Sequence, residues 1–256
     1  MKKNDLTDLT FIIPIRIDSD ERLENLNLVI ELIKNNFDTK IIVLEADKNE
    51  RVNSQLIDKK IFIEDYNPVF HHTKYRNYMT IQVTSPFIAI WDTDILIPPY
   101  QILKAVNLIR KHKTSFVIPY DGKVYKVDPV LKRLYSKNKI LDCIIHNLKK
   151  MPLMYGHFSV GGAFIVNKIE YCKVGMENEK FYGWGPEDAE RVKRWEILGY
   201  NVKKVDGPLF HLHHPRKENS WFGSEEIELI NKFEFIRICK MKKDELIFEI
   251  QSWNNK

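Results

Sequence analysis

Cysteine is scarce in this chain. The three present in 256 residues, Cys143, Cys172 and Cys239, lie far apart and none belongs to a C-x-x-C pair. That leaves no basis for a disulfide framework or a thiolate metal site, and it predicts a reduced, cytoplasmic protein. Long apolar runs are also missing. Behind Met1-Lys2-Lys3-Asn4-Asp5 the first one extends for only about six residues before Arg16 and Asp18, too short for a signal peptide or a membrane span. With ten glycines, eleven prolines, no repeat and no low-complexity tract, the chain offers no linker, and one continuous domain is expected. Charge of one sign is absent too. Forty basic residues against 35 acidic ones give a net +5, a mixed solvated surface rather than a nucleic-acid stripe, with a slight bias toward anionic nucleotides or a lipid surface.

What is present is enough apolar material for a core: 44% hydrophobic and 12% aromatic residues, as in a soluble globular protein. Short apolar runs alternate with amphipathic stretches, the pattern of an α/β fold with a helix-covered sheet. Strands are expected at Thr10–Ile15, Lys40–Glu45, Ile61–Glu64, Phe87–Trp91, Ser115–Pro119 and Ser159–Val166. Helices are expected from Ser19 to Asn36, His72 to Val83, Pro99 to Lys113 and Pro186 to Gly199, whereas Val124–Leu153 is too mixed to assign. From Ser224 to Trp253 the pattern is an amphipathic helix, with Ile227, Ile230, Phe233, Ile236 and Ile238 among its apolar positions. It suits a helix packed on the domain. Its rivals are a membrane-surface or dimer helix, since Lys240, Lys242 and Lys243 cluster there.

Three groups of residues suggest chemistry. Asp92-Thr93-Asp94 follows an apolar strand, and carboxylates two apart in extended backbone project to one side at the strand end where α/β sheets bind ligands. Such hard oxygen donors suit Mg2+ or Mn2+ holding a diphosphate. His211, His213 and His214 add imidazoles, which favour Mn2+. An extended segment would align His211 with His213, a turn His211 with His214, so the ligand histidine stays open, as does a metal role for Asp92. Glu187 and Asp188 open a helix, where acids are also favoured by the exposed N–H groups. Their aromatic and glycine surround points further: Trp184 offers a flat face to a sugar ring, and Gly183 and Gly185 allow close backbone approach.

On these residues the chain resembles the GT-A-fold glycosyltransferases, family 2-like in its first half. In its second half it is similar to the galactosyltransferase and polypeptide N-acetylgalactosaminyltransferase type. Ile13-Pro14-Ile15-Arg16 resembles the opening strand and nucleotide loop, and Arg76-Asn77 the Arg-Asn pair ahead of the DxD. Asp92-Thr93-Asp94-Ile95-Leu96-Ile97-Pro98 resembles the galactosyltransferase metal motif, and Gly161-Gly162-Ala163 the glycine pair beside the sugar. Gly183-Trp184-Gly185-Pro186-Glu187-Asp188 is similar to the WGxED signature, with Pro186 where glycine is common. Animal-type members carry a Met three residues before the ligand histidine, where this chain has His211 before His214.

The resemblance implies a Rossmann-like mixed sheet flanked by helices. Its GT-A domain would span residues 1–222, a nucleotide half at about 8–120 and an acceptor half at about 121–222, with a helical extension over 223–256. It implies a metal-dependent, inverting transfer from a UDP-sugar, galactose or N-acetylgalactosamine favoured, to a glycan or glycolipid hydroxyl. Asp94 would hold the metal with a histidine. Asp188 would act as base and Glu187 would position sugar hydroxyls. Pro14, Arg16, Arg76, Asn77, Asp92, Gly161, Gly162 and Trp184 would serve the donor; Asp47 joins them on position alone. A bacterial-type enzyme of surface polysaccharide synthesis, without nucleic-acid partners and with peripheral membrane contact through the last helix, is the expectation. A sugar nucleotidyltransferase competes, but Ile15–Asp20 lacks a glycine-rich phosphate loop. So does a non-catalytic glycan-binding protein, against which the full set of acids and histidines argues.

Overall fold

The computed structural model describes residues 2–215 and 223–253. The expected boundary at residue 222 lies outside them. Along the chain run β1 (Asn4–Ile15), α1 (Asp20–Asn36), β2 (Phe37–Asp47), β3 (Lys59–Glu64), α2 (His72–Gln82), β4 (Phe87–Trp91) and β5 (Ile95–Leu96). There follow α3 (Pro99–Arg110), β6 (Phe116–Ile118), β7 (Val124–Val127), α4 (Pro129–Asn138), α5 (Asp142–Ile145), β8 (Ala163–Asn167) and α6 (Lys168–Lys173). The last elements are α7 (Glu187–Ile197), β9 (Val202–Lys204), β10 (Leu209–Leu212), α8 (Glu225–Lys240) and α9 (Lys243–Trp253).

Seven strands form one mixed sheet in the order β3-β2-β1-β4-β8-β6-β9, and β5, β10 and β7 form a small second sheet. Strands β1 to β4 run parallel, while β8 runs antiparallel between β4 and β6. Period-two alternation sends Phe11, Ile13, Val43, Ala89 and Trp91 to one face, where they pack with Leu26, Val29, Ile30 and Ile33 of α1 and with α3. Ile12, Ile42, Leu44, Ile88 and Ile90 go to the other, with Tyr75 and Met79 of α2 and Trp195 of α7. Helix α1 starts where the Ser19 side chain accepts the Arg22 N–H, with Asp20 and Glu21 in its first turn.

Three elements depart from the sequence-based expectation. The strand expected from Ser159 begins only at Ala163, because Gly161 and Gly162 are held in the site instead; Gly162 has φ +82°. The unassigned segment 124–153 contains β7, α4, α5 and a 3-10 turn at Leu148–Lys150. These are short, and Val130 and Ile140 are exposed, which breaks the apolar periodicity. Finally, the C-terminal extension is two helices. Helix α8 ends at Met241, and Ile238, Leu246 and Ile250 pack together with Ile197 and Leu198 beside the end of α7.

Candidate active site

The C-terminal ends of β1 and β4 and the N-terminal end of β8 meet at a cavity of about 460 Å³. Its wall includes Pro14, Arg16, Asp92, Asp94, Gly161, Gly162, Trp184, Glu187, Asp188 and His211. A neighbouring cavity of about 480 Å³ shares Tyr155, Trp184 and His211 and adds His213 and His214.

Asp94 is placed by backbone pairing. Its carbonyl accepts the Leu212 N–H at 2.8 Å, and the antiparallel β5–β10 register sets His211 opposite Ile95. Strand β10 ends at Leu212, and beyond it His214 rather than His213 joins His211, their rings 5.3 Å apart. One ligand atom each from Asp94, His211 and His214 lies within 4.8 Å of the others. His214 Nε2 stands 3.1 Å from Asp94 Oδ2 and His211 Nε2 3.7 Å from Oδ1. Burial alone would raise the Asp94 pKa, but the two imidazoles and the Arg22 guanidinium, 3.8 Å away, hold it well below the usual carboxylate range. An ionised carboxylate and two imidazoles converging on one point fit a borderline divalent cation such as Mn2+. His213 stands outside this cluster, and its carbonyl takes hydrogen bonds from Asn25 and Lys132.

Asp92 also stands outside the cluster. It accepts from buried Arg76 Nη2 at 2.9 Å, and its N–H donates to the Gly162 carbonyl at 2.9 Å. Burial pushes its pKa up to about 6 although Arg76 pulls the other way. Burial likewise opposes the charge of Arg76, yet Asp92, Asp188 and Glu177 outweigh it and keep the guanidinium charged. Arg76 thus bridges the carboxylate after β4 to the one at the start of α7, with Nη1 3.6 Å from Asp188 Oδ1.

Asp188 Oδ1 is further held by Arg191, one turn along α7, and Arg191 is anchored by Glu177 at 2.7 Å. Its Oδ2 lies over Gly161, where a Cβ would come within 2.1 Å. Gly161 is therefore required for space, and its carbonyl is fixed by the Tyr120 hydroxyl at 2.7 Å. Glu187 is 9% exposed, and its Oε2 finds no hydrogen-bond partner among the described residues. Burial, reinforced by the Asp188 charge, raises its pKa well above the ordinary glutamate value.

The loop bearing Trp184 is pinned by α8. Asn231, fully buried, donates to the carbonyls of Tyr182 at 2.9 Å and Trp184 at 3.3 Å and accepts the Tyr182 N–H at 3.3 Å. A Cβ on Gly185 would meet this amide at 2.8 Å.

Three expected donor residues lie off the cavity wall. Asp47 ties down the β1–α1 loop by accepting the Ile17 N–H at 2.9 Å. Arg76 acts from behind, and Asn77 clamps residues 177–179 through the Glu177 backbone and the Glu179 carboxylate. On the wall, Arg16 donates to the carbonyls of Ala46 and Asn67 and pairs with Asp65. The sequence reading passed over Arg22, Phe70 and His72, which line the cavity, and Arg191 and Asn231 behind it. Burial, with Arg76 and Arg22 nearby, drives the His72 pKa far down and keeps it neutral. Only Arg191 leaves a local signal, its spacing of three from Asp188 on one helix face.

Residues 144–218 match the family described as the N-terminal domain of galactosyltransferase. No curated protein matches the chain. Among solved structures, the catalytic domain of Drosophila beta1,4-galactosyltransferase 7 in complex with xylobiose superposes with a TM-score of 0.55 at 16% identity, covering 92% of this chain and 82% of that one. GalNAc-T7 with UDP, GalNAc and Mn2+ gives 0.58 at 13% identity over 93% of this chain and 48% of that one. S. aureus TarS gives 0.54 at 11% identity over 94% and 42%. The chain thus spans about half or less of the last two proteins. The fold is that of the GT-A glycosyltransferases, a mixed sheet flanked by helices.

Proposed function

We propose that the protein is a metal-dependent inverting glycosyltransferase that moves a hexose or N-acetylhexosamine from a UDP-sugar to a hydroxyl of a glycan or lipid-linked acceptor, in the building of a surface polysaccharide. The observation that carries this reading is one cavity whose wall joins two devices: Asp94 and His211 of the Asp94–His211–His214 cluster, with His214 in the adjoining cavity, and the arginine-held Asp188 beside Glu187. The partial match to the galactosyltransferase family supports it, and structural relatives with UDP, GalNAc and Mn2+ or with xylobiose in their complexes favour a sugar nucleotide and a glycan.

Asp94, His211 and His214 would hold the divalent cation, which supplies positive charge against the diphosphate of the leaving group. Arg22, within 3.8 Å of Asp94, adds a fixed positive charge on the same side. Arg16, Phe70 and the neutral His72 shape the wall for the nucleotide. With Oδ1 tied to Arg191, Asp188 keeps Oδ2 for the acceptor hydroxyl. It takes the proton as the acceptor oxygen forms its bond to the anomeric carbon and the bond from that carbon to the diphosphate oxygen breaks on the opposite face. Glu187, in its protonated form, donates to a sugar oxygen, which answers its unpartnered Oε2. Trp184 offers its ring to a sugar face.

The test is release of UDP from UDP-galactose, UDP-N-acetylgalactosamine, UDP-glucose and UDP-N-acetylglucosamine, with Mn2+ and with EDTA. Metal-dependent release from one donor is expected, and Asp188→Asn should lower it about a hundredfold or more while UDP binding persists. Release or consumption of pyrophosphate would instead favour the nucleotidyltransferase, and turnover of Asp188→Asn above about a tenth of wild type would remove Asp188 as the base.

A further inference from the structure

Helix α8 buries Asn231, Glu234 and Ile238 toward the domain. Its opposite face is also apolar. Leu229, Ile230, Phe233 and Ile236 are 53%, 53%, 68% and 45% exposed, and no described residue covers them. Glu226 and Lys240, both exposed, bound this strip. Each lies seven residues, two helical turns, from Phe233, so the three share one face, and Leu229 and Ile236 fill the positions between them. That is the spacing of a short coiled-coil seam with an acid at one end and a base at the other.

We propose that a second copy of this chain covers this face, α8 lying antiparallel to the partner's α8 on a two-fold axis through Phe233. The register follows from the sequence. Glu226 faces the partner's Lys240 at both ends of the seam, Ile230 faces the partner's Ile236, Leu229 lies against the partner's Arg237, and the two Phe233 rings meet at the axis. A parallel pair would set Glu226 against Glu226 and Lys240 against Lys240. An anionic lipid surface would meet Glu225 and Glu226 on the face that has to approach it. Opposite charges at opposite ends of an apolar strip select the antiparallel copy. One pair of helices about 24 Å long buries near the lower limit for a specific interface, about 1,000 Å² in total, so the dimer dissociates in the micromolar range.

The test is sedimentation of the full chain between about 1 and 100 µM, with no substrate or metal required. A monomer–dimer equilibrium is expected. Phe233→Lys should abolish it while leaving the melting temperature unchanged at concentrations where the wild type is monomeric, since this side chain is exposed. Glu226→Lys and Lys240→Glu should each weaken the dimer about tenfold, because each places like charges at both ends of the seam. The double variant, with the charges exchanged, should recover it. A monomer at every concentration overturns the proposal, as does a double variant no tighter than the singles. Flotation with phosphatidylserine vesicles that is lost in Phe233→Lys without any self-association would assign the face to a membrane instead. None of these readouts depends on transferase activity, so the proposed function and this interface stand or fall separately.

Discussion

Glu187 shows how one side chain can be set up for two protonation states by its place in the fold. Desolvation and the neighbouring Asp188 charge favour its neutral form, while the first turn of α7 offers N–H groups that ease ionisation only in part. The sign of the resulting pH effect is determined. A carboxyl whose native pKa is raised binds its proton more tightly in the native than in the unfolded state, so its contribution falls as pH rises from the ordinary glutamate value to the raised one. Glu187→Gln cannot ionise. Its melting temperature relative to wild type should therefore shift in the variant's favour between about pH 5 and about pH 8, measured by thermal unfolding at both; a shift the other way would mean that Glu187 is ionised in the native state. At this scale the acids are the legible part of the site. Asp94, Glu187 and Asp188 stand where strand-end and helix-start patterns put them. Arg22, His72 and Glu177 are not legible, because they reach Asp94 or Arg76 by packing across 22 to 101 residues of chain, for which local pattern carries no signal. Asn77 illustrates the converse: the Arg-Asn pair draws attention, yet the amide is committed to the 177–179 loop.

Among elements, α8 contributes most beyond its own stability. Its inner face carries Asn231, which satisfies three backbone groups of the Tyr182–Trp184 loop at zero exposure. Asn231→Ala leaves those groups buried without partners, at about 1–3 kcal/mol for an unsatisfied group. The expected outcome is a melting temperature several degrees lower and a KM for the donor raised more than kcat is lowered, because Trp184 loses its placement. Unchanged stability and KM would show that the loop is held by other contacts. The strands β9 and β10 are three and four residues long, too short for alternation to stand out, and so the partner strand that carries His211 is invisible in the sequence. The long elements β1, β4, α1 and α7 are visible because each combines an apolar period with a recognisable start.

For the whole molecule, the Asp94–His211–His214 cluster brings the two sheets together at one point. Asp94 follows β4 of the large sheet and His211 belongs to β10 of the small one, so a cation shared by them stabilises the native arrangement and not the unfolded chain. At a Mn2+ concentration about a hundred times the dissociation constant, the gain is about 2.7 kcal/mol, or at least about 5 °C for a chain of this size. Thermal unfolding with Mn2+ and then EDTA should show this shift and its reversal, and His214→Ala should remove most of it. An unchanged melting temperature in wild type would place the metal elsewhere. The helix-covered sheet is legible from the alternation of strands and helices, whereas its mixed direction and strand order are not, since β8 inserts antiparallel between β4 and β6 from far along the chain.

That insertion divides the site into parts of unequal tolerance to redesign. Strands β1 and β4 enter the cavity by their ends, and whatever follows must continue into α1 or β5. Strand β8 runs the other way, so the chain arrives at the cavity before it enters the sheet, and Gly162 is already locked to Asp92 when it does. Upstream of that lock, residues up to Met154 are tied to β7 through Leu153, Pro152 and Met154 and to the core through Met151, whereas the exposed residues 155–158 can be lengthened or exchanged as a cassette without moving a core strand. On the proposed function, new acceptor preferences would be grafted in front of Gly161, while the strand ends of β1 and β4 stay as they are.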